Sequence, residues 1–209
     1  MYHAVVRVLL LAVMLSACGA PTVVASAPTA IAPTCQDGDV GACDRDCQKG
    51  DGEGCFLLGA AYEEGKGATK NATRAGELYR RACDLGFGTA CGELAVMILD
   101  GVVPGDPSDA VALCTKGCDA KSAAACALLG SMYQEGSGVD ADASIAAKHY
   151  ERACDLGEAH GCSALGYLYF DGRGVPHDEA KGRTLIDRGC KGGDADACKV
   201  IKELGSAAP

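Results

Sequence analysis

Small and apolar residues recur along this chain in register with its cysteines. Three positions after Cys55, Cys91, Cys126, Cys162 and Cys198 stand Leu58, Leu94, Leu129, Leu165 and Ile201. One position further stand Gly59, Ala95, Gly130 and Gly166, and three beyond those Tyr62, Ile98, Tyr133 and Tyr169. Offsets of 0, 3, 4 and 7 trace one face of an α-helix. The small residue between two large ones lets a neighbouring helix approach closely. Gly65, Gly101, Gly136 and Gly172 follow as the expected helix stops.

A second helix is predicted in each unit. Asn71, Asp106, Asp142 and Asp178 are strong N-cap residues, able to accept from the unpaired N–H groups of a first turn. Ala75, Ala110, Ala146 and Gly182 come four residues later, then Tyr79, Cys114, Tyr150 and Ile186 after four more. Each unit is therefore helix, Gly-rich turn, helix, and one hairpin alone cannot cover its apolar face. Stacked units can, so the expected fold is an all-α solenoid. Its repeats are placed at about 47–82, 83–117, 118–153 and 154–189, within a domain spanning 35–205, with caps at 35–46 and 190–205.

The 14 cysteines fit the same register. Cys47, Cys83, Cys118, Cys154 and Cys190 each have a partner eight residues on, and Cys35 and Cys43 repeat the offset. The first cysteine of a pair ends a second helix and the other begins the next first helix, so an intervening turn brings them together. The predicted disulfides are Cys35–Cys43, Cys47–Cys55, Cys83–Cys91, Cys118–Cys126, Cys154–Cys162 and Cys190–Cys198. Zinc is the competing use, because Cys43-x3-Cys47 and Cys114-x3-Cys118 have ligand-like spacing. Cys114 is left as a free thiol in a column otherwise held by large residues, and reads as a small buried apolar group.

The N-terminus bears on the compartment. Residues 1–17 comprise a short basic start and the apolar run Val8–Leu15, the make-up of an export signal. The run is too short for a permanent membrane span. Leu15-Ser16-Ala17-Cys18 resembles a bacterial lipobox, which implies cleavage before Cys18 and lipidation of that residue. The other possibility is ordinary cleavage after Ala25-Ser26-Ala27. Residues 18–34, uncharged and rich in Ala, Pro and Thr, read as a tether. Export into an oxidising compartment favours disulfides over metal. A net charge of −9 without any Lys/Arg cluster argues against nucleic acid or an anionic membrane surface as partner.

Leu129-Gly130-x-x-Tyr133-x-x-Gly136-x-Gly138-Val139 resembles the Sel1-like repeat pattern, and Leu165-Gly166-x-x-Tyr169-x-x-Gly172-x-Gly174-Val175 repeats it. The second unit departs from it at Ala95, Ile98 and Gly101-Val102-Val103-Pro104, a departure expected to alter how that unit stacks. A cysteine pair in each repeat makes the chain similar to the Helicobacter cysteine-rich proteins. The resemblance implies an adaptor that presents a concave surface to proteins or peptides. It also implies a rival function, because that branch is associated with penicillin binding and β-lactamase activity.

The residues give the rival little. Acyl-enzyme β-lactamases use Ser-x-x-Lys. Here Ser144 and Lys148 are one position too far apart, and Thr115-Lys116-Gly117 runs in the wrong order. His149 reads as an exposed helix residue, His160 as part of a disulfide turn and His177 as part of a loop. Glu63, Glu64, Asp100, Glu135 and Asp171 recur at the ends of first helices, either as a solvated rim or as an acidic stripe that meets basic peptides. The expected protein is a lipid-anchored envelope scaffold, with neither catalytic site, cofactor nor metal. Its expected partner is an envelope protein or peptide, and it meets the membrane through its lipid alone. Gly19 after Cys18, by resemblance to other lipoproteins, places it at the outer membrane.

Overall fold

The structure, a computed structural model, describes Cys35 and residues 38–206; among these residues every regular element longer than one residue is an α-helix. The helices are α1 (Val40–Gln48), α2 (Gly52–Glu64), α3 (Ala72–Asp84), α4 (Gly88–Leu99) and α5 (Pro107–Asp119). They continue as α6 (Ala123–Glu135), α7 (Ala143–Asp155), α8 (Ala159–Asp171), α9 (Glu179–Lys191) and α10 (Ala195–Ser206). The pairs α2/α3, α4/α5, α6/α7 and α8/α9 pack most extensively, which makes them the repeating hairpins. No described helix is long and apolar enough to cross a membrane.

Local sequence explains where the helices start and stop. Oδ1 of Asn71 accepts from the Arg74 N–H at 3.0 Å, and that of Asp178 from the Lys181 N–H at 2.9 Å. Asp142 accepts from both Ser144 and Ile145. At the other ends Gly65, Gly136 and Gly172 take φ of 78°, 77° and 63°, a left-handed cap that side chains disfavour. Each turn is then closed by the N-cap N–H donating to the carbonyl of the preceding tyrosine: Asn71 to Tyr62, Asp142 to Tyr133 and Asp178 to Tyr169, at 2.8–2.9 Å. The second unit closes differently, with Val102 and Val103 donating to the Met97 carbonyl.

The leucine column forms the spine of the core. Leu58, Leu94, Leu129 and Leu165 are each at most 3% exposed, and burying each contributes roughly 2 kcal/mol. Beside them the glycine column meets the second helix. A Cβ on Gly59 would lie 2.8 Å from the Tyr79 ring, and one on Gly166 would lie 2.7 Å from Ile186.

Two kinds of link join one hairpin to the next. The six disulfides connect the predicted pairs, with Cα atoms 4.3–4.8 Å apart. Cys83 at the end of α3 is thereby tied to Cys91 in the first turns of α4, and the same tie recurs along the stack. The second link is a column of cations two residues before the first cysteine of a pair. Lys116 reaches back to Asp84 at 2.8 Å and Arg152 to Asp119 at 2.9 Å, while Arg81 and Arg188 donate to the carbonyls of Cys47 and Cys154 at 2.8 Å.

The last described helix departs from the pattern at one position. In α10, Ile201 continues the leucine column, but the next position, Gly in three of the four hairpins, is the exposed Lys202.

Candidate functional site

The first helices of neighbouring hairpins touch directly, α4 with α6 and α6 with α8, whereas the second helices stand further apart. The stack therefore curves with its first helices on the inside. On those helices, offsets 0, 3, 4 and 7 from the cysteine face the hairpin partner, so offsets 2, 5 and 9 face away from it, onto the inner surface.

Three columns line this surface. At offset 2 are Leu57, Glu93, Leu128 and Ala164; at offset 5, Ala60, Val96, Ser131 and Tyr167; at offset 9, Glu64, Asp100, Glu135 and Asp171. Val96 is 39% exposed and Tyr167 37%, among the few large hydrophobic side chains left open among the described residues. A largely apolar strip, interrupted by Glu93 and Ser131, thus runs along an unbroken acidic column. The periodicity that located the core could have located this strip, from the same register read on the opposite helix face.

The acids differ in their surroundings. Glu64 pairs with Lys66 at 2.6 Å, and Glu63 accepts the Tyr79 hydroxyl at 2.6 Å. Half-buried Glu93 has its pKa raised by burial and then by Glu63. Glu135 accepts only a 3.3 Å bond from Ser131, and among the described residues neither it nor Asp171 enters a salt bridge. Burial pushes the Tyr150 phenol up to about 12, partly offset by its bond with Ser131.

The residues considered for chemistry are scattered. Ser144 donates its hydroxyl to Asp142 at 2.7 Å, as part of the α7 cap, and Lys148 is exposed. His149 is half-buried rather than exposed, because its ring stacks on Tyr133 at 5.6 Å; burial is the main cause that lowers its pKa. His160 lies in the first turn of α8 rather than in a turn, since the first helices begin three residues before their cysteines. It faces Asp194 at 4.0 Å, while His177 on its loop faces Glu179 at 3.6 Å. Cys114 is a buried free thiol, with its pKa pushed up to about 12 by burial, which leaves it un-ionised at neutral pH. Among the described residues there is no cluster of three metal-binding side chains. Cys18, with the expected signal at 1–17 and the expected tether at 18–34, lies outside the described residues.

The Sel1 repeat model matches four times, at residues 52–87, 89–122, 123–158 and 159–194. The chain belongs to the Sel1 repeat family. Each match spans one observed hairpin, starting at the first helix rather than at the cysteine that precedes it.

Solved structures agree. The chain is 28% identical to c5321, a protective antigen of uropathogenic Escherichia coli displaying an SLR fold, with a TM-score of 0.72 over 79% of this chain and 36% of that one. It is 28% identical to the Helicobacter pylori cysteine-rich protein B, with a TM-score of 0.53 over 63% of this chain and 95% of that one. A Sel1 repeat protein from Oxalobacter formigenes, 23% identical, shares the fold with a TM-score of 0.72 over 78% of this chain and 65% of that one. The chain spans about a third of the E. coli antigen and about two thirds of the Oxalobacter protein. No functionally curated protein matches the chain in sequence. Sel1 repeat solenoids are typically scaffolds for protein–protein interaction, and the disulfide-rich type resembles proteins that act outside the cytoplasm.

Proposed function

We propose that this Sel1 repeat protein is a lipid-anchored scaffold of the bacterial envelope, and that its inner face binds a protein or peptide segment bearing apolar and basic side chains. The single observation that carries the binding reading is the pair of exposed apolar side chains Val96 and Tyr167 beside the acidic column Glu64, Asp100, Glu135 and Asp171. Apolar surface supplies affinity and the acids select partners of opposite charge. The disulfide staples hold the strip in one shape, which lowers the ordering cost of binding. The lipid anchor rests on Leu15-Ser16-Ala17-Cys18 and would hold the scaffold at the outer membrane.

Photo-crosslinkers placed at Val96 and Tyr167, and on the outer helices at Thr184, test the binding reading in living cells. A partner captured from both inner positions and not from Thr184 is expected; capture from neither inner position sinks the inner-face reading. Mass spectrometry of the processed N-terminus tests the anchor, and an unlipidated residue there would remove it. The rival hydrolase reading is tested with a chromogenic β-lactam, where turnover beyond one equivalent would replace the scaffold.

A further inference from the structure

Between the third and fourth hairpins the inner face holds a polar cavity of about 230 Å³, set between α6 and α8. Tyr150 and Tyr167 stand in its lining, with the carboxylates of Glu135 and Asp171. The edge of His160 meets the Tyr150 ring at 6.4 Å. From this cavity we infer the anchoring contact of the partner: a single arginine or lysine side chain, received against the exposed Tyr167 ring and neutralised by the two carboxylates. The inference rests on the inner-face reading above and adds to it the identity of the anchor.

The chemistry favours a cation for three reasons. The face of an exposed tyrosine ring such as Tyr167 attracts a cation. The two carboxylates enter no salt bridge, whereas the corresponding acid of the first hairpin, Glu64, is already paired with Lys66. The Tyr79 hydroxyl is likewise engaged by the carboxylate of Glu63, whereas the corresponding hydroxyl of Tyr150 is bonded to the neutral Ser131. Nowhere else in the stack do these features coincide, because Val96 replaces the Tyr167 position in the second hairpin and Cys114 replaces the Tyr150 position. Arg173, exposed on the turn after α8, is the one lysine or arginine in the lining. It leaves the carboxylates in excess, and its N–H groups suit the backbone carbonyls of the segment that carries the anchor.

The test titrates Nα-acetyl-arginine amide into the native, oxidised protein at low salt and follows backbone amide signals by NMR. Shifts confined to α6, α8 and the turn after α8 are expected. The neutral isostere Nα-acetyl-citrulline amide should bind about tenfold more weakly, as should the arginine probe to the Glu135→Gln/Asp171→Asn variant. Tyr167→Ala should weaken both probes. Equal binding of arginine and citrulline, or shifts absent from this cavity, would overturn the assignment. The crosslinking outcome is separate. A partner captured at Val96 and Tyr167 but held equally well by the double variant sinks the anchor alone. Probe binding with no captured partner would show a cation site but remove the inner-face scaffold, and with it the anchor.

Discussion

Gly130 and Tyr150 are fitted to each other across the third hairpin: a methyl group on Gly130 would stand 2.7 Å from the tyrosine ring. The ring occupies space that any other residue at position 130 would fill. Tyr150 is 2% exposed and has little room to retreat. Gly130→Ala should therefore destabilise the fold by about 1–3 kcal/mol despite alanine's better helix propensity. Thermal unfolding of the oxidised protein measures this, and a rise in the melting temperature would contradict the fit.

The same fit accounts for the second hairpin. Ala95 and Cys114 hold the positions of Gly130 and Tyr150, and both are fully buried. The methyl group gained on one helix corresponds to the ring lost on the other. Ala95→Gly should leave a void and Cys114→Tyr should clash, each costing about 1–3 kcal/mol. The double variant should recover most of the loss, with a coupling of about 1–3 kcal/mol in a double-mutant cycle. Additive losses would show that the two sites are independent.

That pair also marks how far the sequence could be read. The hairpins, their caps and the cysteine pairing were legible because each rests on a residue repeated at fixed spacing, such as Leu129, Asp142 or Cys126. Ala95 and Cys114 looked like decay of the pattern, since a compensating exchange is visible only when both columns are seen to face each other. The clasp from Arg152 to Asp119 joins neighbouring hairpins, and its column, Arg81, Lys116, Arg152 and Arg188, was present in the sequence but had no partner until the stacking was known. The cavity beside Tyr167 was the least legible. It depends on side chains from three helices and a turn, which no single period connects.

The staples and the free thiol should respond differently to chemistry. Replacing Cys118 and Cys126 together by serine opens one nine-residue loop and should cost about 2.5 kcal/mol in the chain-entropy picture. Native Cys114, buried and un-ionised, should resist iodoacetamide until the chain is unfolded. Peptide mass spectrometry after alkylation, with and without denaturant, distinguishes the cases. Rapid labelling of Cys114 in the native protein would mean that the second hairpin opens readily.

The hydroxyl of Tyr79 and the carboxyl of Glu93 make stability depend on pH in two separate windows. Burial first, then Glu63, raises the Glu93 pKa above its ordinary value of 4.5. Folded Glu93 therefore keeps its proton to a higher pH than the unfolded chain does. The stability this gives is fully present below about 4.5 and is lost as pH rises through the folded value. At neutral pH, then, the charged form is held at a cost, and Glu93→Gln should raise the melting temperature there, with the gain fading towards pH 4. Burial, followed by the bond to Glu63, also raises the Tyr79 pKa above its ordinary value of 10.0. Its contribution is full below 10 and is lost as pH climbs towards the folded value. Tyr79→Phe should cost about 1.5 kcal/mol at neutral pH, through the lost bond to a charged acceptor, and should flatten the alkaline decline. Melting curves at pH 4, 7 and 10.5 on both variants separate the windows. A Glu93→Gln gain that persists unchanged at pH 4 would show that the carboxyl is not held protonated by its surroundings.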